Sequence, residues 1–195
     1  DNKNSKMIRI ALVGDIGSGK TYYAKLFGYP VFSADLIDAE IYKKNKKCFN
    51  QIKKRLPNFF SSFPLEKNEL INCILANRKN LKKITEVIHP LVKKRMKLFL
   101  NKNKTQRCVV LDVPLFLENK LNKKGDVIIY IQSSQKNSAK KLKVRKNYNK
   151  KLIERFKQIQ LPLKKKKEKS NFIIKNTFHY NRAVKDVKRI LKIII

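Results

Sequence analysis

The sequence is poor in the residues from which disulfide frameworks and metal centres are built. Cysteine occurs only at Cys48, Cys73 and Cys108. These are odd in number, far apart and in no C-x-x-C spacing, so they read as reduced, structural thiols. The only histidines are His89 and His179, too few for a His-rich metal site. No run approaches the roughly 18 to 20 apolar residues a spanning helix needs. The longest candidate, Cys108–Leu117, is interrupted by Asp112 and Pro114. Asp1–Lys6 is polar and has no apolar core of a secretory signal, so a cytoplasmic address, with no membrane association, is expected. No internal repeat is present, nor any low-complexity linker that would separate independent domains.

Acids are scarce too, 14 against 48 Lys and Arg, for a formal charge of +34. Such a charge attracts polyanions, nucleotides included. It does not by itself indicate nucleic acid. Lysine outnumbers arginine 39 to 9, whereas arginine is the residue suited to bidentate phosphate and base recognition. Lysine, asparagine and isoleucine are all abundant and can all be written in A+T-only codons, which suggests a compositional bias. There is no recognition-helix motif and no set of aromatic stacking repeats, so a nucleic-acid partner is not expected.

What is present is a strand and helix alternation. Met7–Val13 is apolar, β-rich and followed by glycine, and so reads as a buried strand ending in a loop. Thr21–Phe27 reads as a short helix closed by Gly28, Val31–Ser33 as a second strand, and a helix starts near Asp35. From Cys48 to Leu100 the pattern is helical, punctuated by Pro57, Pro64 and Pro90. Arg107–Asp112 and Asp126–Gln132 are β-branched runs typical of strands buried on both faces. Ser138–Gln160 reads as one basic helical stretch broken by Pro162, and Asn171–Lys175 as a fifth strand before a helix over Tyr180–Lys192. The lysines of Lys164–Lys167 read as a solvated helix face. The expected fold is α/β, three-layered, with a mostly parallel five-stranded sheet. One domain over 7–195 is expected, with its core at 7–47, 105–135 and 170–195, a helical insertion over about 48–104 and a lid over about 138–169.

The strongest chemical signal is Gly14-Asp15-Ile16-Gly17-Ser18-Gly19-Lys20-Thr21. It is a complete G-x-x-x-x-G-K-[ST] placed between a strand and a helix, and it takes three of the chain's five glycines. Such a loop turns successive backbone N–H groups toward phosphates, and the helix that follows adds its positive end. Lys20 would reach the β- and γ-phosphates of ATP, and the Thr21 hydroxyl would ligate Mg²⁺. Asp35, after the second strand, is a candidate base on an attacking hydroxyl or a helix cap, with Asp38 one turn later as a fallback. Asp112 ends a buried strand, as does the acid that helps hold Mg²⁺ in such folds. Arg145 and Arg155 lie in the basic stretch, where an arginine could close over a triphosphate or simply be solvated.

Taken together, these residues resemble the dephospho-CoA kinase family across nearly all of Ile8–Asn176. The loop is similar to the family's G-G-I-G-S-G-K-S, Pro30–Asp35 to P-V-[IF]-D-A-D, His89-Pro90-Leu91-Val92 to H-P-L-V, and Asp112–Glu118 to D-x-P-L-L-F-E. Gln160-Leu161-Pro162, Lys166 and Phe172–Asn176 resemble Q-x-P…K…D-F-V-I-D-N. The resemblance implies ATP- and Mg²⁺-dependent phosphoryl transfer to the ribose 3′-hydroxyl of dephospho-CoA, the last step of CoA synthesis. It implies Asp35 as base, His89, Pro90, Leu91, Pro114, Leu115 and Glu118 around the acceptor, a helical insertion that binds it, Arg145 on the lid and Asn176 near the adenine. The chain departs from the pattern at Ser33, Asn171 and Lys175, each of which stands where the family has aspartate. Another P-loop small-molecule or nucleoside monophosphate kinase is the alternative.

Overall fold

The computed structural model describes residues 7–195; the Asp1–Lys6 segment considered above lies outside them. In chain order the elements are β1 (Ile8–Gly14), α1 (Lys20–Leu26), β2 (Val31–Ser33), α2 (Ala34–Lys44), α3 (Lys46–Arg55), α4 (Lys67–Ala76), α5 (Arg78–Lys102), β3 (Cys108–Asp112), β4 (Val127–Gln132), α6 (Gln135–Lys143), α7 (Lys150–Gln158), α8 (Leu163–Glu168), β5 (Phe172–Lys175) and α9 (Tyr180–Ile194). They divide into two compact units. Among the described residues the first is built from 7–33, Leu100–Tyr148 and Gln160–Ile195, the second from Ala34–Phe99 and Asn149–Ile159.

The first unit holds the sheet, in the order β2-β3-β1-β4-β5. Every pairing is parallel, so the expected mostly parallel sheet is parallel throughout. The β-branched composition explains its burial. In β3 all five residues are buried, as a strand covered on both faces requires. On one face, Ile10, Leu12, Val110, Ile129, Ile131 and Ile174 form a core with Tyr23 and Ala24 of α1, Phe27 just after it, and Ala183, Val187 and Ile190 of α9. The spacing of those α9 residues, four and then three apart, puts them on a single helical stripe. Even the charged Arg9 in β1 is buried, held by Asp126 at 3.1 Å and by the Leu121 carbonyl at 3.0 Å.

The second unit is helical. Pro90, read from sequence as a punctuation mark, lies inside the 25-residue α5. Ile84, Val87 and Ile88 before it and Val92 and Met96 after it are buried. Burial on both sides of the proline keeps the helix going past the hydrogen bond it cannot make. The basic stretch read as one helix over Ser138–Gln160 is two, α6 in the first unit and α7 in the second. Ser134 Oγ caps α6 by accepting from Asn137 N, and Asn149 Oδ1 caps α7 by accepting from Leu152 N, so α6 starts earlier and a fresh helix start interrupts the run.

Candidate functional site

The glycine-rich loop leaves the C-terminal end of β1, the central strand, at the sheet edge where ligands of parallel α/β folds collect. At Gly17 and Gly19 the backbone lies in the left-handed region that favours glycine. Gly17 has φ +81° and Gly19 φ +98°, and a Cβ at Gly17 would sit 2.8 Å from Leu142 Cγ. Inside the loop, Ile16 N–H donates to Asp15 Oδ1 at 2.7 Å and Ser18 N–H to the Asp15 carbonyl at 3.2 Å. Lys20 Nζ folds back over the loop, donating to the Asp15 carbonyl at 2.7 Å and the Gly14 carbonyl at 3.3 Å. The Ser18 hydroxyl is buried and makes no hydrogen bond.

Next to the loop, Thr21 Oγ1 donates to Asp112 Oδ2 at 2.7 Å. Asp112 is buried at the end of β3, in register with Ser33 of β2. A hydroxyl and a carboxylate in contact form an all-oxygen donor pair suited to a hard cation. No cluster of three or more His, Cys, Asp or Glu able to hold a metal occurs among the described residues. The oxygen pair of Thr21 and Asp112 fits Mg²⁺, which is commonly bound by one or two protein oxygens, substrate phosphates and water rather than by a protein cage.

Asn176, expected near the adenine, is buried and holds the loop. Its Nδ2 donates to the Ser18 carbonyl at 2.8 Å, and its Oδ1 accepts from Phe178 N–H at 2.8 Å. Pro114 and Leu115 are half-buried in the segment after β3, while Phe116 and Leu117 belong to the core. Glu118, expected around the acceptor, is engaged inside the fold. It pairs with Lys166 Nζ at 2.7 Å and accepts from Leu161 N–H at 2.9 Å. Lys166 also donates to Gln160 Oε1 at 3.2 Å and is only 1% exposed, so the reading of Lys164–Lys167 as a solvated face fails at this one residue. Arg145 is exposed in the turn after α6.

In the helical unit, Asp35 is exposed and is the second residue of α2, where a carboxylate complements the helix dipole. One turn on, Asp38 has a buried Oδ1 without a hydrogen-bond partner. Burial, and then the charge of Asp35, push its carboxyl up to about 7. Tyr42 and Cys48 are raised as well, first by burial and then by Asp38. Sequence reasoning had Asp38 only as a fallback base and missed this cluster, whose one visible signal is the i, i+4 spacing of Asp38 and Tyr42. His89 is half-buried in α5, and burial lowers its pKa. Pro90 and Leu91 line a cleft of about 710 Å³ together with Lys47, Arg55 and Glu86. Arg155, one of the two candidate triphosphate arginines, donates to the Leu75 carbonyl at 3.3 Å and is thereby tied to the end of α4.

Comparison with known proteins converges on one family. A family model described as dephospho-CoA kinase matches residues 8–181. The dephospho-CoA kinase of Wolbachia sp. subsp. Brugia malayi is 31% identical over 93% of this chain and 95% of its own length. That of Bartonella quintana is 31% identical over 85% of this chain and 87% of its own. Among solved structures, a Thermus thermophilus protein superposes with a TM-score of 0.79 at 22% identity, covering 98% of this chain and 100% of that one. A dephospho-CoA kinase from Campylobacter jejuni superposes with a TM-score of 0.60 at 20% identity, covering 95% and 96%. These two likenesses establish the three-layer P-loop kinase fold.

Proposed function

The chain belongs to the dephospho-CoA kinase family, and from that premise we propose that it transfers the γ-phosphate of ATP to the ribose 3′-hydroxyl of dephospho-CoA, giving CoA and ADP. The observation that carries the phosphate half is the Thr21–Asp112 contact at 2.7 Å beside a loop whose lysine is folded over it. In this reading the N–H groups of residues 14–21 cradle the phosphates and Lys20 leaves the loop carbonyls for the β- and γ-oxygens. Thr21 and Asp112 hold Mg²⁺, which when bound neutralises charge on the phosphates. Asp35 accepts the proton of the attacking hydroxyl. Arg145, on a lid over about 138–169, lends positive charge to the transferring group. The helical insertion of about 48–104, with His89–Leu91, receives the acceptor. Three free, buried cysteines suit the reducing cytoplasm in which we place the enzyme; no helix among the described residues is long and apolar enough to cross a membrane.

The test is an ATP-dependent coupled assay offering dephospho-CoA, AMP, other nucleoside monophosphates and shikimate. Turnover confined to dephospho-CoA is the expected result, and turnover of another acceptor instead would overturn the assignment. Lys20→Ala lowers kcat by about 10²-fold or more, the usual scale for a lost transition-state donor. Asp35→Asn lowers kcat with ATP affinity kept; an equal fall in ATP binding would remove Asp35 from the base role.

A further inference from the structure

Phe178, between β5 and α9, has φ +62°, a left-handed conformation that glycine adopts freely and a bulky side chain rarely does. The residue is half-buried and lies outside the packed core, so core packing does not explain why a large ring is kept there. Its surroundings do. Asn176 Oδ1 accepts from the Phe178 N–H while the same amide's Nδ2 donates to the Ser18 carbonyl, so one buried side chain fixes the residue to the phosphate loop. The ring edge is close to that loop, since a Cβ at Gly19 would lie 3.6 Å from Phe178 Cε1. One ring face carries the exposed Lys141, whose Nζ is 5.1 Å from the centroid. A face covered by a flexible lysine can be taken over by a planar ligand, with the ammonium free to turn toward phosphate.

We infer that Phe178 is the nucleobase platform of the triphosphate site: its ring, tied to the loop through Asn176, stacks against the purine of the nucleoside triphosphate bound at residues 14–21. The inference rests on the proposed ATP role of that loop and adds the residue that holds the base. Stacking reads the face of a base and not its edge, so the ring supplies affinity for ATP and GTP alike. A left-handed backbone at residue 178 is retained because it turns the ring to the loop.

The experiment compares binding of ATP and of inorganic tripolyphosphate, which has no base, to the wild type, Phe178→Gly, Phe178→Leu and Phe178→Tyr, by calorimetry with Mg²⁺. Phe178→Gly relieves the backbone and removes the ring. It is expected to raise the Kd for ATP by about 5- to 30-fold, the weight of one base–aromatic stack, with tripolyphosphate binding unchanged and the thermal midpoint not lowered. Phe178→Leu keeps apolar bulk without an aromatic face and gives the same ATP loss, which covers a glycine variant that fails to fold. Phe178→Tyr keeps wild-type affinity. Unchanged ATP affinity in the Gly and Leu variants overturns the inference. So does a parallel loss of ATP and tripolyphosphate, which would make the ring a support for the loop's shape. A wild type that binds tripolyphosphate but not ATP would instead bring down the nucleotide reading itself.

Discussion

Replacing Lys166 by methionine isolates a buried ion pair that the sequence hid in a lysine run. Lys166 and Glu118 are 1% and 9% exposed and their charged atoms are 2.7 Å apart. Their mutual attraction offsets the desolvation of both; removing the cation leaves the carboxylate buried, accepting from the Leu161 N–H. Breaking such a pair from one side costs about 3–5 kcal/mol. With a urea m-value of about 2 kcal/mol/M, the unfolding midpoint should fall by about 1.5–2.5 M. Replacing both partners with apolar side chains, Lys166→Met with Glu118→Leu, removes the stranded charge, and stability should return to within about 1–2 kcal/mol of wild type. Urea unfolding followed by circular dichroism on the two single variants and the double gives the coupling directly. A single-variant loss below about 1 kcal/mol, typical of exposed pairs, or a double variant no better than either single, would refute the argument.

Asp38 makes stability depend on pH in a fixed direction. Its carboxyl in the fold, at about 7, lies above the ordinary 3.8. The native state therefore keeps a proton that the unfolded chain has released, and stability falls as pH rises from about 4 to about 7. Asp38→Asn should remove that slope and, once solvent screening is allowed for, make the protein about 1–2 kcal/mol more stable than wild type at pH 8; thermal midpoints at pH 5 and 8 that shift alike in both proteins would count against it. Gly17→Ala places a methyl 2.8 Å from Leu142 Cγ at φ +81°, and should lower the midpoint by about 2–8 °C for a penalty of about 1–2 kcal/mol. Thr21→Val takes the hydroxyl from Asp112 and should raise the Mg²⁺ concentration needed for half-maximal turnover by about tenfold, corresponding to one lost hydroxyl ligand at about 1.4 kcal/mol. Titrating Mg²⁺ at saturating ATP checks it, and an unchanged requirement would remove Thr21 from the metal site.

What the sequence made legible was whatever is encoded within a few residues. The loop from Gly14 to Thr21 announces itself because tight backbone turns demand glycine, and β3 and β4 because β-branched runs have few other uses. Asp112 could be placed at a strand end, but its hydrogen bond to Thr21, 91 residues away, could not. The same distance problem concealed Lys166, whose neighbours Lys165 and Lys167 are exposed and whose partner Glu118 comes from another segment. Pro90 misled because local preference was read without the buried residues that flank it. The conformation of Phe178 is invisible in sequence for the opposite reason, since phenylalanine is among the residues least expected at positive φ.

The strand order also dictates how the chain can be assembled during synthesis. β1 sits at the centre of the sheet, yet Ile8 finds its partner at Cys108, a hundred residues later, and Ile10 its other neighbour at Val127. On the ribosome the central strand therefore waits with both edges open while the helices of Ala34–Phe99 emerge. At about 5–20 residues per second this wait lasts on the order of 5–25 seconds. The sheet can close only after β4 has appeared. A parallel fold wired in this way pays its loop-closure entropy late, which makes the unpaired β1, with four Ile, Leu and Val residues between Ile8 and Val13, the segment most in need of a chaperone.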